Sequence, residues 1–127
     1  MVKSAMRFVV DTNIWLYAAL NVQVAVAALD KAAKSEWAGY SAITKLEVFG
    51  FPDLKRNDER KLADMLGCFE EVPVSEDIID RAIIIRRKRR IRVPDAIIAA
   101  TATVKNAVLI TNDTHFATAP TLIIQNC

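Results

Sequence analysis

Four acidic residues, Asp11, Glu47, Asp95 and Asp113, are spaced along the chain so that each lies where a strand-like run ends or a helix-like segment begins. Acids at such joints can converge on one pocket. Two like unit charges ~4 Å apart repel by about 1 kcal/mol in bulk water and by about 4 kcal/mol at an effective dielectric of ~20, so gathered carboxylates need protons or a cation between them. Their oxygen donors are hard, which favours Mg²⁺, or Mn²⁺ in its place, over zinc.

The elements that must position these acids alternate between the strand and helix periods. Residues 7–10 read as a buried strand that stops at Asp11, followed by a helix over 12–20. Asn21 is expected to cap a second, alanine-rich helix running to about residue 35, and a second strand is expected over 39–43. Thr44 then opens a helix with Glu47 in its first turn, which Gly50 and Pro52 end. A polar loop over 53–57 precedes an amphipathic helix over 58–69, with Leu62, Met65, Leu66 and Phe69 on one face. A brief strand over 71–74 leads to a helix capped by Ser75 and reaching about residue 90. Pro94 sits in the first turn of the next helix, over 94–106, and strands over 108–110 and 122–124 complete the pattern. Strands alternating with helices predict an α/β fold with a parallel sheet covered on both faces, and such sheets bind ligands beyond the carboxyl ends of their strands. All four acids fall at that edge.

Each acid also has a purely structural reading. Asp11 can be a helix N-cap, a role worth ~1 kcal/mol. The spacing Thr44-x-x-Glu47 matches a capping box, so Glu47 is explained equally well by backbone donors. Asp95 can complement a helix dipole, and Asp113 can form an Asx-turn. Their joint placement on one sheet edge favours a shared site. A histidine acid-base pair is excluded within one subunit, because the chain has one histidine, His115, which reads as a loop residue or phosphate neighbour. A metal ion can instead activate water near neutral pH. Asn13 argues against a phosphotransferase with a paired DxD nucleophile, because it stands where the second Asp would be needed.

The basic run Arg86, Arg87, Lys88, Arg89, Arg90 and Arg92 approaches Asp95. Most of it is expected to be a solvated helix end, with Arg90 and Arg92 assigned to a phosphate-binding rim. Trp15 and Tyr17 are assigned to core or dimer-interface packing, and Cys68 to the core.

At 127 residues the chain has room for one domain, 1–127, and its 53% hydrophobic and 25% charged residues describe an ordered protein. The net charge of +2 is too mild to mark a nucleic-acid binder by itself. No apolar run approaches the ~18 residues of a membrane span, nor does the N-terminus read as a signal peptide. Two cysteines, Cys68 and Cys127, without a CxxC pair, suggest free thiols and a cytoplasmic location. Met6 is a candidate alternative start, with residues 1–5 as a tag or extension.

The segments FVVDTNIWLYA, SAITKLEVFG, RVPDAIIAATA and LITNDTHF, taken in that order over residues 6–125, resemble PIN-domain proteins of the VapC toxin type. The resemblance implies a three-layer α/β/α fold with a five-stranded parallel sheet and a metal-dependent endoribonuclease. It makes Asp11, Glu47, Asp95 and Asp113 the catalytic and metal-binding acids, with Thr12, Asn13, Thr111 and Asn112 orienting carboxylates, water or phosphate. The products would be a 5′-phosphate and a 3′-hydroxyl. It also implies an RNA substrate, a homodimer, and a small antitoxin that lays a helix and a tail over the acidic pocket. The competing expectation is a non-catalytic module that acts through a protein partner.

Overall fold

A computed structural model describes residues 4–114 and 121–123. In chain order the elements are β1 (Ser4–Val10), α1 (Thr12–Ala19), α2 (Gln23–Ala33), β2 (Ser35–Ser41), α3 (Ala42–Phe49), α4 (Arg56–Leu66), β3 (Glu70–Val72), α5 (Glu76–Lys88), α6 (Val93–Val104), β4 (Val108–Thr111) and β5 (Thr121–Ile123). Every strand pairing is parallel, and the spatial order is β3-β2-β1-β4-β5. β1 is therefore central, with Phe8 opposite Ala38 on one side and Val108 on the other.

The apolar run at the end of β1 supplies both faces of the sheet. Phe8 and Val10 join Ile110 and the inner faces of α1, α2 and α4 in one core. Val9 points the other way, joining Leu109, Ile78 and Ile85 of α5 and the buried stripe of α6. All of Phe8, Val9 and Val10 are fully buried, each contributing roughly 1.5–3 kcal/mol of apolar burial. Helices thus cover both faces, which is what a parallel strand without polar alternation requires. Trp15 anchors the first core, its ring edge-on to Tyr40 at 5.7 Å and to Phe69 at 5.0 Å. Among the described residues no single helix is long and apolar enough to cross a membrane.

The element boundaries differ from the sequence reading in ways that matter for the site. β2 begins at Ser35 and ends at Ser41, earlier at both ends than the expected 39–43. The aromatic residues Trp37 and Tyr40 favour a strand, and Ser41 then caps α3 by accepting from Ile43 N at 3.2 Å. Thr44 is consequently inside α3 rather than its cap. Asn21 does not cap α2. It sits in the left-handed region at φ 62°, closing off α1, and Val22 precedes α2 with no side-chain cap. Helix α4 starts at Arg56 and ends at Leu66, which leaves Cys68 exposed on the turn beyond it, contrary to its assignment to the core. Ser75 does cap α5, accepting from Ile78 N at 3.3 Å, and Pro94 lies in the first turn of α6 as expected. His115, Cys127 and residue 124 lie outside the described residues.

Candidate active site

Asp11 follows directly on central strand β1, and its backbone N–H donates to Ile110 O at 2.9 Å, extending the ladder to β4. It is also the N-cap of α1, with Oδ1 accepting from Thr12 N at 2.8 Å. Its other oxygen, Oδ2, accepts from the Thr111 hydroxyl at 2.6 Å. Capping and membership of the site are thus one geometry, because the cap leaves Oδ2 facing the sheet edge. Asp11 is only 4% exposed. Burial pushes its carboxyl up to about 6 against the pull of Thr111 and Thr12, and the negative charges of Asp95 and Glu47 push it further. Residues from β1, α3 and α6 therefore share one electrostatic field.

Thr111, the last residue of β4, is fully buried and does double duty. While its hydroxyl donates to Asp11, its oxygen accepts from Asp113 N at 3.0 Å. The backbone of Asp113 is thereby tied to the Asp11 carboxylate through one threonine.

Glu47 is tied to the same strand end from the other direction. The Thr12 hydroxyl donates to Glu47 Oε1 at 2.7 Å and lies 3.1 Å from Thr44 Oγ1. A hydroxyl has one proton, and an ionised carboxylate only accepts, so Thr44 donates to Thr12 while Thr12 donates to Glu47. The expected capping box is overturned here: Ser41 caps α3, Thr44 is fully buried, and Glu47 faces Thr12. Thr44 is a supporting residue that the sequence reading took only as a cap. The signal for it was Ser41, since a cap there puts Thr44 inside the helix, on the face it shares with Glu47.

Asp95 occupies the first turn of α6, where Arg92 grips it with Nε to Oδ2 at 3.0 Å and Nη2 to Oδ1 at 3.4 Å. The same guanidinium feels the charges of Glu47 and Asp11, which with Asp95 strengthen its hold on its proton. Arg92 is thus paired with Asp95, an ion pair the sequence reading did not include. Arg90 is exposed beyond the end of α5. Asn13 is exposed and lines an apolar recess with Leu16, Tyr17 and Leu20. The half-buried Asn112 lies between Thr111 and Asp113 at the end of β4.

The donor chemistry fits a hard divalent cation, because the negative charges of Asp95 and Glu47 that raise the proton affinity of Asp11 would be offset by a positive charge between them. Their present placement is not a closed cage. Among the described residues no three acidic, histidine or cysteine side chains stand close enough to hold one ion in common. Asp95 is turned to Arg92 and Glu47 to Thr12.

The fold and this edge define an α/β protein with carboxylates gathered beyond the carboxyl ends of a parallel sheet. The PIN domain model matches residues 8–122, and the chain belongs to the PIN domain family, where it is similar to the VapC toxin type. Among solved structures it is similar to a toxin-antitoxin complex from Klebsiella pneumoniae, at 31% identity over 90% of this chain and 94% of the other, with a TM-score of 0.77. VapBC2 from Rickettsia felis, bound to a DNA fragment from their promoter, matches at 26% identity over 93% and 96% of the two chains, with a TM-score of 0.74. FitAcB from Neisseria gonorrhoeae matches at 25% identity over 94% and 99%, with a TM-score of 0.73. No curated protein matches the chain significantly.

Proposed function

We propose that the protein is a metal-dependent endoribonuclease and the toxin of a type II toxin-antitoxin pair, acting in the cytoplasm on RNA. The observation that carries the reading is Asp11: a buried carboxylate wired to Thr12 and Thr111 and set in the field of Asp95 and Glu47. Asp11, Asp95, Asp113 and Glu47 would hold Mg²⁺ or Mn²⁺. Bound there, the cation would supply an activated water and neutralise charge on the scissile phosphate. Thr111 fixes Asp11 and the start of the Asp113 loop, while Thr44 and Thr12 fix Glu47. Exposed arginines beside Asp95 offer phosphate contacts that position RNA without reading its sequence.

The similarity to toxin-antitoxin complexes supports an antitoxin partner for this chain. An apolar recess of about 270 Å³ between α1 and α4, lined by Leu16, Tyr17, Leu20, Phe51 and Leu54 among others, suits the apolar face of a partner helix. A homodimer is supported by Ile79 and Ile83, which α5 exposes one turn apart.

A non-catalytic module is the second reading, favoured by the absence, among the described residues, of three acids close enough for one ion. Incubating the protein with total RNA in Mg²⁺, Mn²⁺ or EDTA, followed by end mapping, separates the two. The enzyme reading expects metal-dependent cuts with 5′-phosphate and 3′-hydroxyl ends, lost in Asp11→Asn and Asp95→Asn. Cleavage that persists in EDTA, or ends in a 2′,3′-cyclic phosphate, sinks it.

A further inference from the structure

We infer that Arg92 competes with the divalent cation for Asp95, so that metal entry releases its guanidinium toward the RNA phosphate and couples metal binding to substrate binding. The inference rests on the metal-site reading above and goes beyond it by assigning the residue that competes for Asp95. Both Asp95 oxygens are taken by one planar fork, at 3.0 and 3.4 Å. A carboxylate so engaged cannot give the same lone pairs to a metal ion, and a guanidinium and a divalent cation at one carboxylate repel each other.

Arg92 is placed to let go. Its side chain is 74% exposed whereas that of Asp95 is 16% exposed, so the arginine can swing into solvent while the acid stays on the helix. It precedes α6 as the N-cap residue but makes no side-chain capping bond, so swinging its side chain away from Asp95 leaves the backbone bonds of the helix intact. Once free it is a rigid bidentate donor beside the acids, suited to a phosphate. Whatever anion then holds Arg92 away from Asp95 must tighten the metal by the same factor as the metal tightens the anion.

The test is calorimetric Mn²⁺ binding to the full chain as wild type, Arg92→Ala, Arg92→Lys and Asp11→Asn, with melting temperature as a check on folding. Lysine keeps the charge but not the fork. Competition by the fork predicts that both Arg92 variants bind Mn²⁺ about fivefold or more tightly than wild type, within the usual range of coupling between sites. A nonhydrolysable RNA analogue should tighten Mn²⁺ binding in wild type and lose that effect in Arg92→Ala. If Ala tightens Mn²⁺ but Lys matches wild type, only long-range charge is at work and the inference falls. It falls equally if neither variant changes the affinity. If neither wild type nor the Arg92 variants bind Mn²⁺ saturably, or Asp11→Asn binds it as well as wild type, the metal-site reading itself has failed. As a separate readout, the Arg92 Nε–H resonance in a ¹⁵N spectrum should shift on saturation with Mg²⁺, and an unmoved resonance counts against release.

Discussion

Asp11 and Asp95 are both carboxylates at helix starts, yet they are held in opposite ways. Asp11 follows a central strand, is buried, and takes its hydrogen bonds from the backbone of Thr12 at the start of α1 and the hydroxyl of Thr111 at the end of β4. Asp95 lies in the first turn of α6 and is held by an exposed arginine three residues before it. One half of the site is fixed by the fold and the other by an exchangeable ion pair. A site built this way keeps its geometry on the strand side and adjusts on the helix side when a ligand arrives.

The largest expected effect comes from removing the fixed half. Asp11→Asn should lower metal-dependent cleavage by ~10³-fold or more, beyond the ~10–100-fold typical of losing an outer hydrogen-bond partner of a metal ligand. The same change should alter the pH dependence of metal-free stability. The Asp11 carboxyl is raised from 3.8 to about 6 in the folded chain, so the folded state holds its proton more tightly than the unfolded state does. That contribution is fully present below pH ~4 and is lost as pH rises through about 6, at most ~3 kcal/mol in all. Urea unfolding in EDTA at pH 4, 5, 6 and 7 should show the decline in wild type and not in Asp11→Asn. A flat wild-type profile would mean that Asp11 is better solvated than its burial indicates.

Thr111→Val tests the fixed half more finely, since it removes one hydroxyl and leaves the carboxylate. It deprives Asp11 of its donor and Asp113 N of its acceptor together. Metal affinity should fall about 10–100-fold, and stability should drop by roughly 1–3 kcal/mol because a buried acceptor loses its partner. Calorimetry and urea unfolding read the two effects. If Thr111→Val binds metal as wild type does, the strand side is less dependent on its wiring than the contrast with Asp95 requires.

The strand half was the more legible of the two in the sequence. Phe8–Val10 and the run at 107–110 are continuously apolar because both faces are covered, so each strand stops visibly at a polar residue, Asp11 and Thr111. The helix half depends on where helices begin, and there local signals compete. Thr44-x-x-Glu47 and Ser41 are both plausible caps, and register with β1 and β3 decided for Ser41, because β2 ends there. Arg92 was read as a rim residue from its neighbourhood alone, and its ion pair with Asp95 depends on a side-chain direction that sequence does not carry. Asn13 is adjacent to Asp11 and Thr12 in sequence, but one residue along a helix turns a side chain ~100°, and it lines the apolar recess beside α1.

The boundary of α3 offers a medium-sized test. Ser41→Ala should cost about 1 kcal/mol as loss of the true N-cap and leave metal binding within twofold of wild type, a tolerance set at about 0.4 kcal/mol. Thr44→Val should cost about 0.5–1.5 kcal/mol for its hydrogen bond and, unlike Ser41→Ala, should weaken cleavage, because Thr44 acts on Glu47 through Thr12. Equal effects of the two variants on cleavage would return Thr44 to a capping role and remove it from the site.

The smallest effect separates two arginines only two residues apart. Arg92 is paired with Asp95, whereas Arg90 is exposed beyond α5 and no described residue pairs with it. A surface arginine of that kind contributes to RNA affinity through counterion release alone, so Arg90→Ala should reduce the slope of log affinity against log salt by about 1 and change stability by no more than ~0.5 kcal/mol. Its Mn²⁺ affinity should stay close to wild type, because its charge lies outside the fork at Asp95. Filter binding of a labelled RNA across a salt series, in Ca²⁺ to suppress cleavage, measures the slope. An Arg90→Ala variant that tightened Mn²⁺ as much as Arg92→Ala would show that the adjustable half of the site responds to the whole basic run, and the contrast between one exchangeable ion pair and one fixed carboxylate would have to be redrawn around a diffuse field.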